Sequence, residues 1–117
     1  MENIILKTKL SNRLKTKAPF NVDTFLFKNI IVNKQRRGCS GYILNRDNRA
    51  CVYVNTEPSC NPKCSLLYHY ADYDKNDFKN GKNRYAKDFD DLVSKIIKML
   101  LIPITERPYE GDATNYD

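Results

Sequence analysis

The four cysteines and the single histidine are the residues of this chain best suited to chemistry. Zinc is bound by thiolates and imidazoles in a tetrahedron, and the thiolates often lie two to four residues apart on tight turns. Cys60 and Cys64 have that spacing, and Pro62 between them favours a turn. His69 follows and would supply a third ligand. These three residues are the metal-ligand candidates, and they are weak ones.

The other two cysteines, Cys39 and Cys51, fit such a site badly. Strand alternation places Cys51 on the face of Leu44 and Cys39 on the face of Ile43. Residues on opposite faces of a sheet do not easily share one metal ion, although a bend near Gly41 would change the face on which Cys39 lies. The favoured interpretation is that Cys39 and Cys51 are small core or edge residues, that the other two cysteines are loop thiols, and that no cofactor is bound.

Catalytic chemistry has little support in the sequence. Cys64 and His69 are close along the chain, but no motif surrounds them. Asp72, Asp74 and Asp77 resemble the opening of a calcium-binding loop, yet the required glycine and glutamate are absent from the later positions. The four glycines form no phosphate-binding loop. We therefore expect a protein that is not an enzyme.

Charge is divided unequally between the halves of the chain. Residues 1–50 contain 11 lysines and arginines and three acids, a net charge of +8, whereas residues 51–117 have a net charge of −2. A basic half of this kind indicates a surface for a polyanion or an acidic partner. The candidate contact residues are Lys7, Lys9, Arg13, Lys15, Lys17, Arg36, Arg37, Arg46 and Arg49.

Two side-chain types in this half suit nucleic acid. Arg36 and Arg37 are the candidate anchors, because a guanidinium group donates two parallel hydrogen bonds to a phosphate. Exposed aromatic rings on strands stack on bases, although tyrosines on strands are more often half-buried structural residues. The tyrosines concerned are Tyr42, Tyr53, Tyr68 and Tyr70.

Three classes of function are compatible with these patterns. The leading prediction is a non-enzymatic interaction protein whose basic half binds nucleic acid or a nucleoprotein complex. The alternative is an inhibitor of the phage or mobile-element type, which blocks an acidic host defence or replication protein, for example by strand pairing. A second alternative is a zinc-binding protein that uses the cysteines.

Short periodic segments predict the N-terminal elements. Residues 3–10 alternate between apolar and polar positions, which predicts a strand, and residues 11–20 follow as a loop or basic arm. Residues 22–33 are rich in β-branched and aromatic residues and predict a strand pair or one long bent strand. Residues 34–38 predict a basic turn, and residues 66–71 another strand.

The strongest hairpin pattern lies in residues 40–55. Asp47 and Asn48 tolerate positive φ angles and predict a two-residue type I′ turn. In that register Leu44 faces Cys51, and the turn presents the two arginines that flank it side by side.

A helix is predicted over residues 88–101. Asp88 is suited to cap it, Asp91 lies three residues later as in a capping box, and Pro103 ends it. The apolar residues recur at helical spacing and form one face: Phe89, Leu92, Val93, Ile96, Ile97 and Leu100.

The order of elements, strands first and a helix last, predicts an α+β fold. We expect a small, mostly antiparallel sheet of four to six strands with the C-terminal helix on one face. Residues 1–103 are predicted to form a single domain and residues 104–117 a flexible acidic tail. The first residues do not resemble a signal peptide and no apolar run is long enough to span a membrane, so we expect a cytoplasmic protein with reduced thiols and no membrane partner.

Overall fold

The computed structural model describes residues 4–57, 66–71, 82–103 and 105–106. In these ranges the strands form one antiparallel sheet in the order β1-β2-β3-β4-β5, and the predicted α+β class with a C-terminal helix is confirmed. The elements are α1 (Lys7–Lys17), β1 (Val22–Val32), β2 (Gln35–Asn45), β3 (Ala50–Asn55), β4 (Leu67–Tyr70), β5 (Arg84–Tyr85) and α2 (Phe89–Leu100).

The first element is a helix, so the predictions of a strand over residues 3–10 and a loop over residues 11–20 are wrong. Leu10 and Leu14 lie one helical turn apart and are completely buried in the core. The alternation that favoured a strand covers only a few residues, and a pattern that short does not distinguish the two structures. Burial of the two leucines decides in favour of the helix.

Strand β1 is the long bent strand that the sequence predicts. Its ladder with β2 shifts register between Phe25 and Lys28 and again between Ile30 and Ile31. At the first shift Leu26 has φ 53°, and the backbone comes very close to β2. A Cβ atom on Gly41 would lie 2.4 Å from the Cα of Phe27, so only glycine fits there.

The turn between β1 and β2 is shorter than the sequence predicts. Asn33 and Lys34 have φ angles of 52° and 65°, as a two-residue type I′ turn requires. Residues 35–38, which were expected to belong to the turn, lie in β2 instead. Asparagine adopts the left-handed conformation more readily than most residues, so the turn begins at Asn33, one residue before its predicted start.

The hairpin of β2 and β3 has the predicted register, with Tyr42 opposite Tyr53 and Leu44 opposite Cys51. Its turn is longer than predicted, because residues 46–49 form a four-residue connection. Arg49 has φ 62°, and its backbone N–H donates to the carbonyl of residue 45 over 2.8 Å.

Two asparagines, one at the end of β2 and one in this connection, also fix the end of α2. The side-chain amides of Asn45 and Asn48 donate to the carbonyl oxygen of Leu100 at 2.9 and 3.2 Å. A C-terminal helix carbonyl that lacks an intrahelical partner is thereby satisfied. Helix α2 is therefore attached to the tip of the β2–β3 hairpin.

Helix α2 is the helix that the sequence predicts. The Asp88 carboxylate accepts from the backbone N–H of Asp91 at 2.8 Å, and the Asp91 carboxylate accepts from the backbone N–H of Lys87 at 3.0 Å. These bonds satisfy exposed donors at the helix start. The apolar face, including Leu92 and Ile96, is buried against the sheet.

Both faces of the sheet contain buried side chains. The main core lies between the helices and one face and includes Ile43, Val52 and Val54. A smaller cluster of Tyr42, Leu44, Cys51 and Ala71 lies on the opposite face. Apart from positions 105 and 106, the predicted tail lies outside the described residues.

Candidate nucleic-acid interface

Helix α1 concentrates positive charge on a rigid element. It contains no acidic residue, and its five cationic side chains are all exposed: Lys7, Lys9, Arg13, Lys15 and Lys17. Leu10 and Leu14 anchor its inner side in the core. Five of the candidate contact residues therefore lie on the surface of one helix, where a single partner can reach them.

The start of α2 lies beside α1 and has three acids that could repel a polyanion, Asp88, Asp90 and Asp91. Arg13 pairs with Asp90 at 3.2 Å, and Lys95 pairs with Asp91 at 3.0 Å. Hydrogen bonds from the Lys87 backbone and from Lys95 lower the pKa of the Asp91 carboxyl, so it is charged at neutral pH. Asp90 and Asp91 therefore each have a cation beside them, which reduces their repulsion of an approaching anion.

Aromatic contact orients the cations on the α2 side of α1. The Lys9 ammonium lies 4.4 Å from the centre of the Phe89 ring, and the Arg13 guanidinium carbon lies 5.4 Å from the same centre. Both are within the range of cation–π attraction. The ring restricts these long side chains to the surface between the two helices.

The β1–β2 hairpin meets the beginning of α1. The side-chain oxygen of Asn29 accepts from the backbone N–H of Lys7 at 2.9 Å, so β1 caps the helix. Next to this bond Arg36 and Lys9 both line a groove of about 360 Å³, together with Ile4, Leu6, Thr8 and Asn29. Arg36 therefore extends the charge of α1 onto the sheet.

The two arginines that were predicted as paired anchors have different surroundings. Arg36 is exposed, whereas Arg37 is half-buried and its Nε atom is shielded from solvent. The second register shift of the β1–β2 ladder falls at Arg37, between the pairs that Gly38 and Arg36 form with β1. Of the two, Arg36 is the more exposed.

Arg46 and Arg49 lie on the other face of the sheet. They line a shallow pocket with Asp23 and Leu44, and Leu44 belongs to the cluster on the face opposite the helices. The Arg46 guanidinium is 3.8 Å from the Asp23 carboxylate. The structure therefore does not bring these two arginines together with the cations of α1.

The four tyrosines do not form a stacking platform. Three of them are buried: Tyr42, Tyr68 and Tyr70. The ring of Tyr53 is partly buried between the rings of Tyr42 and His69, and its centre lies 5.4 Å from the centre of each. The expectation that exposed rings stack on bases is wrong for these residues. Their rings fill the two faces of a small sheet, which is the structural role of tyrosine on strands.

The two cysteines in the described residues are on opposite faces, as strand alternation predicts. Cys39 belongs to the core under the helices and Cys51 to the opposite cluster. Burial raises the pKa of the Cys39 thiol to about 11, although a contact with the Thr56 hydroxyl at 3.6 Å opposes the shift. A thiol with so high a pKa is a poor nucleophile at neutral pH.

The metal candidates are only partly within the described residues. His69 is buried in β4 and stacks on Tyr53, while Cys60 and Cys64 lie outside the described residues. The acidic cluster at residues 72–77 also lies outside them. Among the residues that are described, no group of three or more His, Cys, Asp or Glu side chains could hold a metal ion.

Sequence reasoning missed the polar residues between the cations of α1. Thr8, Asn12 and Thr16 are exposed and recur every fourth position along the helix. Leu10 and Leu14 show the same spacing, but two leucines are too short a pattern to indicate a helix by themselves.

Two further findings bear on what the protein is. Among the helices in the described ranges, none is long and apolar enough to cross a membrane. No protein-family model, no curated protein and no solved structure matches this chain.

Proposed function

We propose that this protein is a non-enzymatic binding protein that contacts nucleic acid, free or within a nucleoprotein complex. The contact surface is the basic face, which we define as the exposed cations of α1 together with Arg36. The observation that carries the proposal is that α1 has five exposed cations and no acid. A regular helix holds these charges at fixed spacing, so their attraction for a chain of phosphates adds up.

The strength of this attraction has a measurable signature. Each phosphate that a cation neutralises releases counterions, and the logarithm of the affinity for duplex DNA falls by about 0.9 per contact for each tenfold rise in salt. Contacts from the whole basic face would give a slope of roughly −5. A protein that binds an acidic protein surface would show a weaker dependence, since such a surface has no condensed counterions.

Fluorescence anisotropy with short labelled DNA and RNA, single-stranded and duplex, tests the proposal over about 50 to 200 mM salt. The informative variant replaces Lys15 and Lys17 with glutamine on the exposed surface of α1. The matched control replaces Arg46 and Arg49 with glutamine, which removes the same charge from the other face.

The proposal expects salt-dependent binding of at least one nucleic acid by the wild type. In the α1 variant the slope should become shallower by about 2. The Arg46 and Arg49 control should keep the wild-type slope. Absence of binding to every probe at physiological salt, or an equal loss in both variants, would contradict it.

One feature of β1 favours a second candidate function, the binding of a protein partner such as a host protein that is inhibited. Leu26 and Ile31 are 59% and 65% exposed, and Leu26 also has a left-handed backbone conformation. That conformation costs about 1–2 kcal/mol for a residue with a Cβ atom, and more than half of the Leu26 side chain remains exposed. A contact with another protein would explain both residues.

Replacement of both residues with serine tests this second function. A stoichiometric complex with one purified host protein should be lost in the Leu26→Ser, Ile31→Ser variant and retained in the Lys15, Lys17 variant. The opposite result would assign the complex to the basic face.

A further inference from the structure

The outward surface of α1 has an ordered arrangement of polar residues. Thr8, Asn12 and Thr16 lie at intervals of four residues and form one stripe along the helix. At about 100° per residue, Asn12 points directly away from the buried side that Leu10 and Leu14 define. The middle of the exposed surface is therefore neutral and able to form hydrogen bonds.

The cations lie on both sides of this stripe. The same helical geometry places Lys9 and Arg13 about 60° and about 100° from Asn12 on the side toward α2, and Lys15 about 60° from it on the other side. Lys7 and Lys17 lie about 140° from Asn12, next to the buried side of the helix. Contacts confirm the first side, because Lys9 and Arg13 meet Phe89 and Arg13 pairs with Asp90. Positive charge thus lies on both sides of the row of amide and hydroxyl groups, closest to it at Lys9 and Lys15.

Helix propensity does not explain the neutral stripe of α1. Threonine and asparagine are weaker helix formers than alanine, lysine or glutamate, which would suit exposed positions better. Three such residues at successive turns of one exposed stripe therefore point to a contact with a partner.

We propose that α1 lies in the major groove of duplex DNA and reads base edges with the neutral stripe; this inference rests on the proposed function. A helix with its side chains is about 10–12 Å across and fits the roughly 12 Å width of that groove. Lys9 and Arg13 then face the phosphates of one strand, and Lys15 faces those of the other. The major groove of duplex RNA is too narrow and deep to admit a helix, so the partner is DNA.

Each residue of the stripe has a role set by its chemistry. Asn12 is the adenine reader, because an asparagine amide donates to N7 and accepts from the N6 amino group. The Thr16 hydroxyl donates to the carbonyl oxygen of Asn12 at 2.8 Å, which leaves its methyl group to contact a thymine methyl. Thr8, one turn before Asn12, contacts the adjacent base step.

Selection from a pool of random duplex DNA tests the inference with three proteins. The wild type should enrich a motif that contains adenine. Asn12→Ala should reduce the preference for one base by at least about fivefold, since a bidentate contact discriminates by that factor or more. Lys15→Gln should weaken binding to all sequences but enrich the wild-type motif. Alanine favours helix more than asparagine does, so Asn12→Ala should remain folded, and circular dichroism verifies this.

The alternative outcomes separate this inference from the proposed function. Salt-dependent DNA binding without any motif, or a motif that Asn12→Ala leaves unchanged, would overturn base reading by α1 and leave the proposed function standing. Equal affinity for duplex RNA would overturn the assignment to the major groove. Absence of binding to all nucleic acids would overturn both.

Discussion

Replacement of Leu14 with alanine tests how α1 is held, and with it the position of the basic face. Helix α1 has 11 residues, no side-chain cap from Leu6 and no acid in its first turn. Lys7 also places positive charge at the positive end of the helix dipole. A helix of this length and composition is marginal by itself, so its stability comes from packing.

The size of the effect follows from burial. Leu14 is fully buried, so its truncation loses the transfer free energy of the side chain and leaves a cavity, together about 2–5 kcal/mol. At roughly 5 °C per kcal/mol for a domain of this size, the melting temperature should fall by about 10–25 °C. The exposed neighbour Lys15 provides the control, since Lys15→Ala changes only the solvent side of the same helix and should cost less than about 0.5 kcal/mol.

Urea denaturation followed by circular dichroism measures both variants on one scale. The difference between them is the contribution of the buried side chain. If Leu14→Ala costs no more than Lys15→Ala, α1 is not packed on the sheet, and the argument that the fold positions its cations fails.

Four more substitutions test other parts of the structure. Ile96→Ala should lower the free energy of unfolding by about 2–5 kcal/mol in urea denaturation, because Ile96 is fully buried on the apolar face of α2. Asn45→Ala removes a hydrogen bond to the Leu100 carbonyl and another to the Asp47 backbone, so it should cost about 1–3 kcal/mol in the same assay. Gly41→Ala places a Cβ atom against the backbone of β1 and should lower stability by about 3 kcal/mol or more, with a large drop in the melting temperature. The pKa of the Asp91 carboxyl is lowered in the folded state, so the carboxylate stabilises the fold above about pH 4. This stabilisation is lost as the pH falls further. The difference in melting temperature between the wild type and Asp91→Asn should therefore shrink below that pH.

The elements that could be predicted from the sequence have long, consistent patterns. The apolar face of α2 extends over three turns and begins at a capping aspartate, so propensity, periodicity and capping all agree. The β2–β3 register follows from strict alternation, because a shift of one residue would move Leu44 and Cys51 to the other face.

The elements that were predicted wrongly depend on tertiary contacts. Leu10 and Leu14 specify α1 only once a core exists to bury them, and a short alternating segment before them favours a strand equally well. The four-residue turn at 46–49 is selected by the asparagines that hold its backbone and the end of α2. Contacts with a distant helix leave no signal in a local turn pattern.

The candidate site could be predicted only in part, because tertiary structure decides which of its residues lie together. Composition identifies the basic half, but the sequence does not show which cations share a surface. Arg46 and Arg49 follow β2 on the face away from the helices, while Arg36 reaches the groove beside α1. Sheet register and helix placement decide this division, and neither is visible in the charge pattern.

The order in which the elements pack explains why the basic half of the sequence forms one side of the molecule. Helix α1 packs on β1 and β2, whereas α2 packs chiefly on β3 and the side of α1. In a meander whose strands follow chain order, the first helix and the first hairpin therefore build one side of the molecule together. Their cations are neighbours in space because their elements are neighbours in sequence. The basic face is thus built from elements that are adjacent in the sequence. It is retained as long as Leu10 and Leu14 pack α1 against the sheet.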